Sequence, residues 1–163
     1  MIKEALDKVK SEIPEGVTLV AVSKTKPVAL LQEAYDHGQR IFGENRVQEL
    51  AEKYEQLPQD IEWHLIGHLQ TNKVKYIAPF VSMIHAVDSM KLLKEINKQA
   101  AKHDRIIECL LQFHIAEEDS KFGMSFEEVQ DLLESSEFVE LRNISIVGLM
   151  GMATFTDNQE QLQ

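Results

Sequence analysis

Apolar, β-branched segments recur along this chain at a nearly constant interval. Strand-like cores begin at about residues 17, 40, 62, 83 and 106, so successive starts lie 23, 22, 21 and 23 residues apart. One strand, one amphipathic helix and two short loops fill such a step, and the chain is predicted to repeat a βα unit. Strands joined through helices run parallel. That confines the fold to an open doubly wound sheet or a (β/α)8 barrel of the TIM type. No Gly/Pro-rich linker interrupts the series, and 163 residues suit a single domain over 1–163.

The units are predicted as follows. A helix over Met1–Ile13 carries Ile2, Ala5, Leu6, Val9 and Ile13 at helical spacing. The first strand is Val17–Ser23, followed by a helix from Pro27 to His37 that Gly38 closes. Strand Arg40–Glu44 and helix Asn45–Tyr54 come next, then strand Glu62–Gly67 and a short helix over Asn72–Ala78. The fourth strand, Val81–Val87, leads to a helix capped by Asp88 or Ser89 and running to about Lys102. The fifth strand is Ile106–Ile115. Ser125 and Glu128 have the spacing of a capping box for a helix through Leu133, and the sixth strand is Ile144–Ala153. Six strands are present where a closed barrel has eight.

Unusual polar residues follow the strands repeatedly: Ser23-Lys24, Gly43-Glu-Asn-Arg46 and Gly67-His-Leu-Gln-Thr-Asn-Lys73. Both candidate folds bind ligands at that carboxyl edge. The first strand has no GxGxxG after it, which favours the barrel. Lys24 is read as the last residue of that strand, on the face of Val20 and Val22. If that face lines an interior, Lys24 rises from an apolar wall, and desolvation there would favour a nucleophilic amine suited to Schiff-base chemistry. The plainer alternative is a solvated loop lysine.

Other features narrow the chemistry. A net charge of −10 argues against nucleic acid or an anionic membrane as the main partner. The amino terminus has no apolar signal core, and no run approaches membrane-spanning length. Cys109, the single cysteine, sits in an apolar run and is read as a buried thiol in a reducing cytoplasm. Serine hydrolase, P-loop and zinc-protease motifs are absent, and so is any CxxC pair. Asn45 can cap the helix it opens or offer its amide to a ligand. His64, Ile66 and His68 share one strand face, with Trp63 and Leu65 on the other. His64 is either a satisfied core ring or a group facing a ligand, and with His68 it lacks a third metal ligand. Glu117–Lys121 is read as a solvated charged loop.

Several stretches together resemble a family. They are Val20-Ala-Val-Ser-Lys24-Thr-Lys-Pro27, Phe42-Gly-Glu-Asn45-Arg-Val-Gln48-Glu49, Trp63-His64-Leu-Ile-Gly67-His-Leu-Gln70-Thr-Asn72-Lys73, Ser120-Lys121-Phe-Gly123 and Gly148-Leu-Met150. In register and order they are similar to the pyridoxal-phosphate homeostasis proteins, single-domain relatives of the alanine racemase barrel. The resemblance implies an α/β (β/α)8 barrel of which about six units are present. It implies that Lys24 carries pyridoxal 5′-phosphate (PLP) as an internal aldimine. Asn45, His64, Ile66 and Met150 are then the residues implied around the cofactor. Family members are held to bind, hold and deliver PLP in the cytoplasm, with no catalytic turnover established for them, which makes PLP-dependent apoenzymes the implied recipients.

A racemase also needs acid–base groups on both faces of its substrate, normally completed by a further domain and subunit, and 163 residues leave no length for one. The family pattern continues through two more βα units, whose Gly-Met-Ser and Arg-Ile-Gly segments serve the phosphate and the pyridine nitrogen. The expectation is therefore a shortened chain with weakened PLP binding and an open barrel edge prone to self-association. Competing readings are a Schiff-base lyase of the aldolase type acting through Lys24, and a non-catalytic interaction module.

Overall fold

A computed structural model of the chain describes residues 1–115 and 123–152. The Glu117–Lys121 loop, Ser120 to Phe122 of the fourth resembling stretch, and Ala153 at the end of the last predicted strand lie outside the described residues.

Helix α1 (Ile2–Glu12) precedes β1 (Ala21–Val22), α2 (Val28–Asp36), β2 (Ile41–Glu44), α3 (Val47–Gln56) and β3 (Glu62–Leu65). A 3-10 helix (Thr71–Tyr76), β4 (Met83–Val87), α4 (Met90–Lys102) and β5 (Ile107–Phe113) follow. The described chain ends with α5 (Phe126–Glu134), α6 (Ser136–Val139) and β6 (Ile144–Gly151). All pairings are parallel, and the strands lie side by side in chain order from β1 to β6.

That order decides between the two predicted folds. A doubly wound sheet reverses direction at a switch point, which puts helices on both faces. Here each strand is followed by its chain neighbour in the same direction along the sheet; connections of the usual right hand then put the helices on one face and leave the other as a barrel interior. Phe42, Trp63, Leu65, Ile84, Ile107, Cys109 and Leu111 are fully or almost fully buried and join Leu50, Leu92, Leu93 and Ile96 of the helices in one core. Phe42 and Trp63 meet with ring centroids 5.9 Å apart. Burial pushes the Cys109 thiol up to about 12, which keeps it protonated.

Local signals formed as the residues dictate. Ser89 caps α4 by accepting from the Leu92 amide, and Ser125 and Glu128 close a reciprocal capping box on α5. Three elements depart from expectation. Val17–Ser23 yields only two strand residues, since the register with β2 covers Ala21 and Val22 alone among the described residues. Asn72–Ala78 becomes a 3-10 helix over Thr71–Tyr76. The four-residue α6, capped by Ser135, carries too little periodicity to be read from the sequence.

Candidate functional site

The carboxyl ends of the strands collect the residues singled out by sequence. Lys24 is exposed and lies two residues beyond β1, in a turn. Of the two readings of Lys24 this is the solvated one, in a turn beyond the strand: Val22, on the same face, is 55% exposed at the sheet edge. Thr25, immediately after it, has φ +63°. That left-handed conformation is unfavourable for a β-branched residue and persists only when its surroundings enforce it.

The enforcement comes from β2 and α3. The Thr25 amide donates to Glu49 Oε1 at 2.6 Å. The Lys53 ammonium, buried at 5% side-chain exposure, donates to Ser23 O (2.7 Å), Glu44 Oε1 (2.6 Å) and Glu49 Oε1 (2.7 Å). Ser23 Oγ donates to Glu44 Oε1 at 2.7 Å. An ammonium has three protons to give, and all three of Lys53 are used. The Lys53 hydrogen bond holds the Glu49 carboxyl below its ordinary range, and the Thr25 amide adds to this. Sequence reading missed this cluster. Its available signal was Glu44 sharing the strand face of buried Phe42, with Glu49 and Lys53 one helical turn apart.

Asn45 lies between β2 and α3. Arg46 occupies the cap position, with no side-chain capping bond, so Asn45 is not the cap of α3. Gly67 approaches the Asn45 backbone so closely that a Cβ there would stand 2.5 Å from its carbonyl oxygen. Ile66 faces the interior: a Cβ on Gly43 would lie 3.2 Å from its Cδ1 and 3.0 Å from Val20 Cγ1. Met150, half-buried near the end of β6, is in register with Gln112 of β5.

His64 lies one pleat deeper than Ile66, opposite Trp63 in direction as expected, and its Nδ1 is 2.9 Å from Nε2 of His85 on β4. The two rings meet edge to face at 5.0 Å. Burial, with His85 beside it, pushes His64 down to about 4, and burial lowers His85 as well. His68, further along, has Nδ1 4.0 Å from Asp88 Oδ2. His85 was not anticipated; its place on the alternation of β4 was the available clue.

The arrangement offers two exposed amines, Lys24 and Lys26, on one constrained turn. Around the same edge stand an amide that caps no helix, a close backbone approach at Gly67 and an apolar side chain at Ile66. An exposed amine is the group that captures an aldehyde.

The alanine racemase N-terminal domain family matches residues 1–163. A pyridoxal phosphate homeostasis protein of Aquifex aeolicus is 40% identical over 146 residues, covering 89% of this chain and 63% of that protein. The Escherichia coli (strain K12) protein of the same name is 37% identical over 143 residues, covering 85% and 60%. The chain thus spans about two-thirds or less of the length of these curated relatives. Among solved structures, PipY of Synechococcus elongatus with PLP bound superposes with a TM-score of 0.84 at 36% identity, covering 96% of this chain and 72% of that one. An alanine racemase of Clostridium difficile shares the fold alone, with a TM-score of 0.76 at 15% identity over 94% of this chain and 40% of that one. On this match and this architecture, the chain belongs to the alanine racemase N-terminal domain family.

Proposed function

We propose that this chain binds PLP through Lys24 Nζ and holds it for delivery to PLP-dependent apoenzymes, without turning over a substrate. The observation that carries the reading is the Ser23–Thr25 turn, which presents Lys24 at the carboxyl edge with its neighbours clamped on both sides. The relatives named for PLP homeostasis and the PLP-bound PipY support the choice of ligand. PLP supplies, when bound, an aldehyde that a lysine amine can capture and an electron-withdrawing ring.

This chain's own residues have simpler tasks. Lys24 supplies the amine, and its exposure keeps it open to a ligand arriving from solvent. The Asn45 amide is available to a polar substituent, Ile66 and Met150 give apolar contact near the edge, and His64 sits one pleat deeper on the strand face of Ile66. A store needs these elements only, whereas turnover requires further groups on both faces of a reacting carbon.

The test is spectroscopic. The purified protein mixed with PLP is expected to gain a near-visible band that borohydride removes, and peptide mapping is expected to place the reduced adduct on Lys24. Lys24→Ala should abolish the band and leave the fold intact, since the side chain is exposed and no core volume is lost. An adduct on Lys26 or Lys73 would overturn the assignment. Borohydride trapping with a sugar phosphate and no PLP band would favour the aldolase-type lyase instead.

A further inference from the structure

We propose that the buried Glu44–Lys53–Glu49 cluster positions Lys24, and that Glu49 is the residue through which it acts. The proposal rests on the reading of Lys24 as the ligand-bearing amine. Two hydrogen bonds from this cluster bracket Lys24: Lys53 holds the carbonyl of Ser23, and Glu49 holds the amide of Thr25. Lys24 itself is exposed, so its direction is set by the backbone on either side rather than by packing around its stem. That backbone includes Thr25 at φ +63°, which relaxes toward a commoner conformation if its amide is released.

The cluster is a poor device for stability alone. Glu44 is fully buried on the strand face that elsewhere carries Phe42, Trp63, Leu65 and Ile84. Its register partner is Leu65. One of its oxygens, Oε2, is buried with no hydrogen-bond partner among the described residues. Burying the Glu44 carboxylate and the Lys53 ammonium costs desolvation that a well-packed apolar pair avoids, while a hydrogen-bonded cluster fixes geometry that an apolar set cannot. Every proton of Lys53 goes to the turn or to a carboxylate that itself holds the turn, directly or through Ser23. The cluster is therefore built toward the turn rather than toward the core.

Glu49 is the residue to test, because its side chain is a quarter exposed and its replacement leaves the core filled. Glu49→Ala removes the two hydrogen bonds its carboxylate accepts, from the Thr25 amide and from Lys53, and leaves the Lys53 bond to Ser23 O, whereas Glu49→Gln keeps an acceptor for the Thr25 amide. Two readouts are taken on each folded variant: the fraction of PLP trapped by borohydride on Lys24, and the acetylation rate of Lys24 relative to Lys26 with acetic anhydride, which involves no PLP. Glu49→Ala is expected to lower trapping on Lys24 about tenfold, the loss that goes with a hydrogen bond to a charged group. It is also expected to change the Lys24-to-Lys26 acetylation ratio, and Glu49→Gln should restore most of both. The proposal is overturned if the acetylation ratio is the same in all three proteins, or if trapping falls only in step with the folded fraction seen by circular dichroism. If no variant, parent included, captures PLP, the functional reading fails, and the acetylation ratio alone still decides for or against the positioning role.

Discussion

Gly67 shows how tightly one residue can be specified by its neighbours. A Cβ at this position would meet three backbone atoms of Asn45, at 2.5, 2.9 and 3.1 Å, and backbone cannot rotate away as a side chain can. The contact at Gly43 differs in kind. A Cβ there meets the side chains of Val20 and Ile66 at 3.0 to 3.3 Å, and those can shift by a few tenths of an ångström. Gly67→Ala is therefore expected to destabilise the fold by about 1–3 kcal/mol through overpacking, and Gly43→Ala by less. Chemical denaturation of the two variants checks the order. Equal costs would mean that the Gly67–Asn45 approach is softer than it looks. The same substitution should displace Asn45 and weaken PLP capture, linking a packing constraint to the site.

The strands and helices were legible because their signals are local. Ser89 and Ser125 cap the helices that follow them, and the alternation Trp63-His64-Leu65-Ile66 gave the correct faces for all four side chains. Long-range pairings were not legible: no local pattern tells that Lys53 reaches Ser23, thirty residues away, or that His64 meets His85. The histidine pair gives β3 and β4 a pH-dependent seam. At 2.9 Å one ring nitrogen must donate and the other accept, so the pair has room for a single proton between them. His64 titrates near 4 when folded and near 6.5 when unfolded, so between these values the unfolded chain binds more protons. Its contribution to stability is then fully present above pH 6.5 and is lost as the pH falls toward 4. The unfolding free energy measured across that range should fall by about 3 kcal/mol. His64→Gln should flatten the slope, and a slope unchanged in that variant would assign the effect to other groups.

At the scale of the whole sheet, the described residues leave two edges. β1 pairs only with β2 and β6 only with β5 among the described residues. β6 also carries apolar surface in the open, with Val147 at 48% and Leu149 at 60% exposure, while Val22 is 55% exposed on β1. Strand number, tilt and stagger are linked in a barrel, so six parallel strands do not close on themselves. An unpaired edge flanked by apolar side chains is a template for another strand. This chain covers 60–66% of the length of three curated relatives it matches, so each of those proteins is longer than the matched stretch. A polypeptide limited to residues 1–163 is accordingly expected to associate as its concentration rises, by pairing β6 with a second copy. Light scattering and intact mass spectrometry measure this directly. Val147→Lys with Leu149→Lys should shift the sample toward monomer, because charged side chains along an edge oppose strand addition. A monodisperse monomer of the unsubstituted polypeptide at micromolar concentrations, saturable with PLP, would show that neither edge needs a partner and that six units already suffice for the site.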